Sequence, residues 1–394
     1  MFKHLFKLIW NKKKQNALLI TEMLVSFLVI FAVFSMIVNY YRSYRKPMGF
    51  EYEHVWIINY KDALQTKNAD SLFQYYESVR RMLKSMPEVG EVSFTGADVI
   101  FTANTNETGM SYNHKQLFHV ADFMTEDSYK DVLGMKVVEG RWFNKSDALS
   151  KESPVVINET LKEDFFGKDN AVGKRLNDYG GDNPQLVIGV VEDMKTKGDY
   201  TALGRAIFRR LDTSSYQYTN NILVKVSPDA DASFENRLFK AMTGAMKTAD
   251  VEILHLSDQR KSYNKVFLIP MIVVLIVAGF LIINVALGLY GVLWYNINKR
   301  KGEIGLRRAI GASGQDVSSQ FVSEGLVLAT FSLIIGVFFG IQFPLLNVFN
   351  IPTGVYLIAL ALSVIFIYVL VLVCSLYPAR QASAIYPAVA LHED

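Results

Sequence analysis

Lys299-Arg300-Lys301-Gly302-Glu303-Ile304-Gly305-Leu306-Arg307-Arg308-Ala309-Ile310-Gly311-Ala312 is a basic, amphipathic segment set between two hydrophobic runs, each long enough to cross a bilayer. Short positively charged loops are retained on the cytoplasmic side, so Lys299, Arg300, Lys301, Arg307 and Arg308 place this segment there. That placement orients the rest of the chain.

Working outward, apolar residues make up 51% of the chain and are concentrated in four blocks: Ala17 to Val38, Val266 to Leu293, Phe321 to Phe343, and Tyr356 to Leu376. A helix needs roughly 20 residues to span about 30 Å of hydrocarbon, and each block is long enough. The pattern is that of a four-helix membrane protein with one large folded insert. Five lysines among the first fourteen residues (Lys3, Lys7, Lys12, Lys13, Lys14), with no acidic residue among them, hold residues 1–16 inside. Asn39-Tyr40-Tyr41 after the first span reads as an interfacial aromatic group, so that span (17–38) is expected to be a retained anchor and not a cleaved signal peptide. Residues 39–264 are then outside, span two (266–293) returns to a cytoplasmic loop (297–316), and spans three (321–343) and four (356–376) lead to a cytoplasmic tail (377–394). Both termini are expected inside. The net charge of +3 is too small to suggest nucleic acid, and the basic residues sit beside membrane segments. The single cysteine, Cys374, falls in span four and excludes a disulfide framework.

The external segment has two similar ends. Val55-Trp56-Ile57-Ile58 reads as a strand, Ser71 to Met86 as an amphipathic helix and Glu91-Val92-Ser93-Phe94 as a strand; Asn221 to Val226, Ala232 to Thr248 and Val251 to Leu256 repeat the order. Residues 50–104 and 213–257 are therefore expected to form one ferredoxin-like α/β unit, with 105–212 a β-rich insertion. Within the insertion, Asn177 to Pro184 reads as a hairpin loop between strands.

Three stretches resemble the FtsX-like permeases of the MacB group in the ATP-binding cassette superfamily. They are Lys301 to Gly305 with Ala309 to Ala312; Tyr377-Pro378-Ala379-Arg380-Gln381-Ala382 with Pro387 and Ala390-Leu391; and Val155-Val156-Ile157-Asn158, Phe166-Gly167, Val172-Gly173-Lys174 and Val187 to Asp193. The resemblance covers nearly the whole chain. It implies an inner-membrane permease subunit whose cytoplasmic loop is a coupling helix, formed by Glu303, Ile304, Gly305, Leu306, Arg307, Arg308 and Ile310, that docks on an ATPase. The residues alone leave a solvated basic loop equally open. Glu303 and Arg307, four apart, support a helix there, and Gly311 and Gly314 would end or bend it.

No phosphate-binding Gly-x-x-x-x-Gly-Lys-Ser/Thr occurs in the chain; Gly167 to Lys174 has one residue too many between its glycines. No catalytic constellation or metal set stands out, since His114 and His119 are five apart with no third ligand near. The resemblance therefore implies that ATP and Mg are bound by a partner ATPase subunit and that this chain carries no catalytic, cofactor or metal residue. It further implies mechanotransmission to the external domain, driving export of a peptide, antibiotic or lipoprotein. Further partners would be a second permease copy or paralogue and membrane lipid, with a periplasmic adaptor and an outer-membrane exit protein in a two-membrane cell. A non-transporting scaffold that controls an envelope hydrolase or a sensor kinase fits the same residues, and a four-span receptor without an ATPase is a third reading.

Gly336 and Gly340 form a Gly-x-x-x-Gly pair open to a dimer contact or to packing within the chain. Span four, without glycine, is expected to face lipid. Pro270 is either a hinge or a simple adaptation of span two, and the helix expected over Ser257 to Leu268 would be a lever. Glu22 and Glu324 are expected to pair with Lys14 or Arg308.

Overall fold

In the computed structural model the described residues are 13–61, 68–96, 99–102, 106–181, 183–247 and 249–384. The expected basic N-terminus lies largely outside them, as do Pro387, Ala390 and Leu391. The chain divides into two units: one comprises the residues up to Arg42 and from Leu268 onward, the other Ser43–Phe267. The longer helices are α1 (Lys13–Tyr44), α2 (Ala69–Lys84), α3 (Glu159–Phe166), α4 (Ala232–Ala245), α5 (Leu256–Lys299), α6 (Lys301–Ala309), α7 (Gly314–Gly340) and α8 (Thr353–Ser383). The strands are β1 (Val55–Lys61), β2 (Val89–Thr95), β3 (Glu107–Tyr112), β4 (Lys115–Thr125), β5 (Val137–Gly140), β6 (Ser153–Asn158), β7 (Arg175–Asp178), β8 (Gln185–Val191), β9 (Arg205–Arg210), β10 (Asn221–Val226) and β11 (Asp250–His255).

Within Ser43–Phe267 the strands run in the order β11-β1-β10-β2-β4-β3-β7-β8-β6-β9, with β5 on β8. The first four neighbours pair antiparallel. Their apolar run in β1 is explained by burial on both faces: Trp56, Ile58 and Tyr60 point to α2 and α4, while Val55 and Ile57 join a second core with Leu223, Phe123 and Phe208. α2 starts where the Asn68 side chain accepts from Ser71 N (2.9 Å), and it buries Leu72, Tyr76, Val79 and Leu83, one stripe at helical spacing. α4 starts in the same way, with Asp231 accepting from Phe234 N (2.9 Å).

The insertion is not a separate sheet. One ladder pair, Thr95 to Thr125, continues the sheet into it. A further parallel pairing of β4 with β9, Val120↔Arg205 to Thr125↔Arg210, closes β4, β3, β7, β8, β6 and β9 into a ring around Met110, Val155, Ile157, Leu176 and Ile207. Closure leaves these strands no free edge. β7 and β8 flank the expected hairpin loop, and Gly167 and Gly173, both at positive φ, end α3 and turn the chain toward β7.

The other unit is helical. Among the described residues, four helices are long and apolar enough to cross a membrane: Leu19–Tyr44, Leu256–Lys299, Gly314–Leu345 and Thr353–Ser383. α7 packs along α8, and Leu19, Met23, Phe27, Val285, Leu289, Leu328, Leu333, Ile367 and Val371 share one core. One expectation is corrected here: span two, not span four, is the least covered helix within the chain, with 6% of its most apolar stretch buried against 22% for span four. The segment expected to be the tail begins as the last two turns of α8, Tyr377 to Ser383, which continue through Pro378 with Ala379 and Ala382 fully buried.

Candidate functional site

The segment Lys301–Ala309 folds as the short helix α6. Its C-terminus is a full Schellman motif: Gly311 N donates to Arg308 O (3.2 Å) and Ala312 N to Arg307 O (3.0 Å), with Gly311 at φ +106°, where a side chain would be strained. Ser313 and Asp316 then form a capping box that starts α7, so Gly314 opens the next helix and does not bend α6. A nine-residue helix is marginal by itself; a C-terminal cap and one buried anchor fix this one.

That anchor is Ile304, 4% exposed among Ile297, Val317, Phe321, Ala379 and Ala382. Within the coupling-helix segment, the Ile304 side chain faces the core of its own unit. Gly305 is buried as well. Leu306 (55% exposed) and Ile310 (77%) do face outward. Glu303 and Arg307 pair at 2.6 Å, and Arg307 also donates to Gln320 Oε1 at 2.7 Å. Arg308 donates to the Ser383 carbonyl, joining α6 to the end of α8.

Glu324 pairs with Arg300 (2.8 Å), not with Arg308. Arg300 also reaches Glu303 (3.1 Å), so one guanidinium links α6 to α7. Sequence reasoning counted Arg300 only as a topology signal; its i,i+3 spacing to Glu303 was the available clue. Glu22 approaches Gly288, where an added Cβ would lie 2.7 Å from its Oε2.

The glycine pair is placed within the chain. A Cβ at Gly336 would lie 2.4 Å from Phe27 Cδ1, and one at Gly340 would lie 3.1 Å from Leu360 Cδ1. Both are buried within the chain, so of the two readings left open the described packing is that of α7 on α1 and α8. Pro270 lies inside the unbroken helix α5.

Within Ser43–Phe267 a polar cluster that sequence reasoning missed ties three segments together. Arg260, in the first turns of α5, donates Nε to Asp199 Oδ1 (2.9 Å) and Nη2 to Asp199 Oδ2 (2.8 Å), and Nη1 to Tyr52 OH (2.6 Å). Asn264, one turn on, donates to Asp199 Oδ2 (2.8 Å) and accepts from Asp199 N (2.9 Å). Lys195, 2% exposed, donates to the carbonyls of Tyr44 (3.2 Å) and Asp199 (3.4 Å), and burial pushes its ammonium pKa down. The Lys195–Asp199 loop is thus bonded both to the chain leaving α1 and to the start of α5. Gly198, at φ +85°, allows the approach, since a Cβ there would lie 2.6 Å from Asn264 Oδ1. The two histidines of the sequence reading are surface groups, with His119 Nδ1 on Glu107 Oε2 at 2.7 Å. No group of metal-ligating side chains occurs among the described residues.

A family model of the MacB-like periplasmic core domain matches residues 23–238, more than half of the chain, and a model of the FtsX-like permease C-terminal region matches residues 272–387. The chain belongs to the FtsX-like permeases of the MacB group. Two relatives illustrate the range of this permease family. The macrolide export ATP-binding/permease protein MacB of Rhodopseudomonas palustris strain HaA2 is 28% identical over 68% of this chain, and the match spans 42% of its own length. The uncharacterized ABC transporter permease YvrN of Bacillus subtilis is 22% identical over 99% of this chain and 98% of its own. The crystal structure of the periplasmic region of MacB from Actinobacillus actinomycetemcomitans covers 54% of this chain at 18% identity, with a TM-score of 0.39 over 92% of that chain. The chain thus joins four helices long and apolar enough to cross a membrane, among the described residues, to a MacB-like domain of mixed sheet, and it spans less than half the length of the MacB relatives it matches.

Proposed function

We propose that this chain is the permease half of a transporter that couples ATP hydrolysis by a separate ATPase subunit to motion of its MacB-like domain. The observation that carries the proposal is α6: a helix capped at its C-terminus, anchored through Ile304 and presenting Leu306 and Ile310 outward beside the Glu303–Arg307 pair. Apolar side chains on a fixed polar helix suit docking into a partner's groove. Movement of α6 would pass to α7 and α8 through Arg300, Glu324 and Arg308, and along α5. Strands β11-β1-β10-β2 with α2 and α4 support the ferredoxin-like reading of the domain's outer half.

With four candidate spans among the described residues, a second permease copy or paralogue is expected to complete the assembly in the inner membrane, α6 facing the cytoplasm and the domain facing the periplasm. Cargo would be a peptide, antibiotic or lipoprotein taken from the periplasmic side. Where a second membrane is present, an adaptor and an exit protein would follow.

The test is reconstitution of the full chain in lipid nanodiscs with the ATPase encoded beside it, measuring hydrolysis for wild type and for Leu306→Asp with Ile310→Asp. Permease-dependent hydrolysis that the double variant abolishes supports docking through α6. An ATPase that neither copurifies nor responds removes the transporter reading and puts the receptor reading in its place.

A further inference from the structure

A cleft of about 510 Å³ opens where the two halves of the sheet meet, in the size range of roughly 300–1,000 Å³ typical of small-molecule sites. One wall is a stripe of α2, Phe73, Glu77, Arg80 and Lys84, spaced to lie on one helical face next to the stripe that α2 buries. The other wall comes from the ends of β4 and β9 and the turns that follow them.

The charges in the cleft sort into used and unused. Glu126, with a 7% exposed side chain, accepts from Arg80 Nη2 (2.5 Å), from Phe94 N (2.7 Å) and from the Tyr216 hydroxyl. Asp127 accepts from Arg210 Nε (2.8 Å) and Nη2 (3.0 Å), and Glu77 from Arg80 Nε (2.9 Å). All three lining carboxylates are therefore engaged by guanidinium groups, Glu126 and Glu77 sharing Arg80 and Asp127 taking Arg210, and the walls are held by these bonds.

The positive charge is not used up. Lys145 is exposed and makes no ion pair or hydrogen bond among the described residues. Lys84 reaches only Glu91 (2.8 Å), in a pair about two-fifths exposed on both sides, which is weak enough to be exchanged for a ligand. The same cleft is also lined by an apolar surface, the ring of Phe73 (36% exposed) set edge-on to Tyr216 at 5.4 Å.

We propose that this cleft binds a small amphipathic anion, a carboxylate joined to an aromatic or branched apolar group, as at the C-terminus of a peptide. The carboxylate lies against Lys145, for which no protein acid competes, and the apolar group covers Phe73. The two walls belong to parts of the sheet joined by the single pair Thr95–Thr125, so a bound ligand bridges them.

The test is calorimetric titration of the full chain in phosphatidylcholine nanodiscs, with empty nanodiscs subtracted. Three probes separate the contributions: N-acetyl-phenylalanine carries charge and ring, N-acetyl-phenylalaninamide the ring alone, and N-acetylglycine the charge alone. N-acetyl-phenylalanine is expected to bind at least about tenfold more tightly than either other probe, a difference of about 1.4 kcal/mol. Lys145→Glu and Phe73→Ala are each expected to weaken it about tenfold, with Lys145→Arg restoring it and thermal unfolding unchanged, since both side chains are exposed. Equal binding of acid and amide, unchanged binding by Lys145→Glu, or no heat above empty nanodiscs at millimolar probe overturns the proposal.

Discussion

Arg260 and Asp199, 61 positions apart in sequence, are joined by two parallel hydrogen bonds of 2.9 and 2.8 Å, with the guanidinium also 4.3 Å over the ring of Tyr52. Asp199 is 5% exposed and accepts from Asn264 too, so its carboxylate has no access to water as a substitute partner. This fork fastens the Lys195–Asp199 loop to α5, at the place where the proposed lever leaves the domain.

Removing one partner of such a pair leaves the other charge uncompensated. Asp199→Ala is expected to cost about 3 kcal/mol, lowering the Tm of the domain by roughly 6–12 °C. Thermal unfolding of the full chain in nanodiscs measures it. Because Arg260 and Asp199 share the bond, the double variant with Arg260→Ala should cost clearly less than the sum of the two single variants; additive losses would mean the fork contributes nothing as a pair.

Gly336 leaves no room for a side chain, since its Cβ would lie 2.4 Å from the ring of Phe27. Gly336→Val is therefore expected to destabilise the helical unit by about 1–3 kcal/mol through overpacking, and Phe27→Leu in the same chain should recover part of the loss. Were Gly336 a dimer contact instead, the variant would change the oligomeric mass in native mass spectrometry while leaving monomer unfolding unaltered, and Phe27→Leu would rescue nothing.

The two faces of α6 predict opposite phenotypes. Ile304→Ala empties a buried site and is expected to cost about 2–4 kcal/mol of stability. Leu306→Ala and Ile310→Ala remove exposed side chains and should change stability by less than about 0.5 kcal/mol, yet reduce permease-stimulated hydrolysis by the partner. Unfolding curves and hydrolysis rates on the same preparations separate the two effects.

What could be read from the sequence follows from the range of the interactions involved. β1 and β10 were legible because two-sided burial forces unbroken runs such as Val55 to Ile58 and Asn221 to Val226. The transmembrane blocks were legible for the same reason, as hydrocarbon imposes length and composition together. The ring closure was not, because β4 and β9 pair residues 120–125 with 205–210, and nothing in either strand's local pattern specifies so distant a partner. The inward turn of Ile304 was equally hidden: on a nine-residue amphipathic helix, the sequence marks an apolar face without saying whether its own chain or another covers it. The Asp199 fork gave no signal because ordinary polar residues 61 apart form it. Gly198 beside Asp199 was the one hint, a glycine where the Asn264 side chain comes close to the backbone.

The last prediction concerns acid. Asp147 accepts from Arg141 Nη1 and Nη2, each at 2.7 Å, and from Asn144 N at 2.9 Å; the guanidinium, against the upward push of burial and with lesser help from the backbone bond, holds its carboxyl below the usual carboxylate range. With the folded value below the unfolded one, near 3.9, the unfolded chain binds more protons between the two, so stability rises with pH across that window. The contribution is fully present above about pH 5 and is lost as the pH falls through the folded value. Asp147→Asn keeps the shape but loses the charge, and Arg141 is about half exposed, so the expected cost at pH 7 is only about 1 kcal/mol. That gap between wild type and Asp147→Asn should close as thermal unfolding is repeated from pH 5 down to pH 2.5. A gap that stays constant over this range would mean the Arg141 pair does not lower the Asp147 carboxyl, and that the loss at pH 7 comes from the capping bond to Asn144 alone.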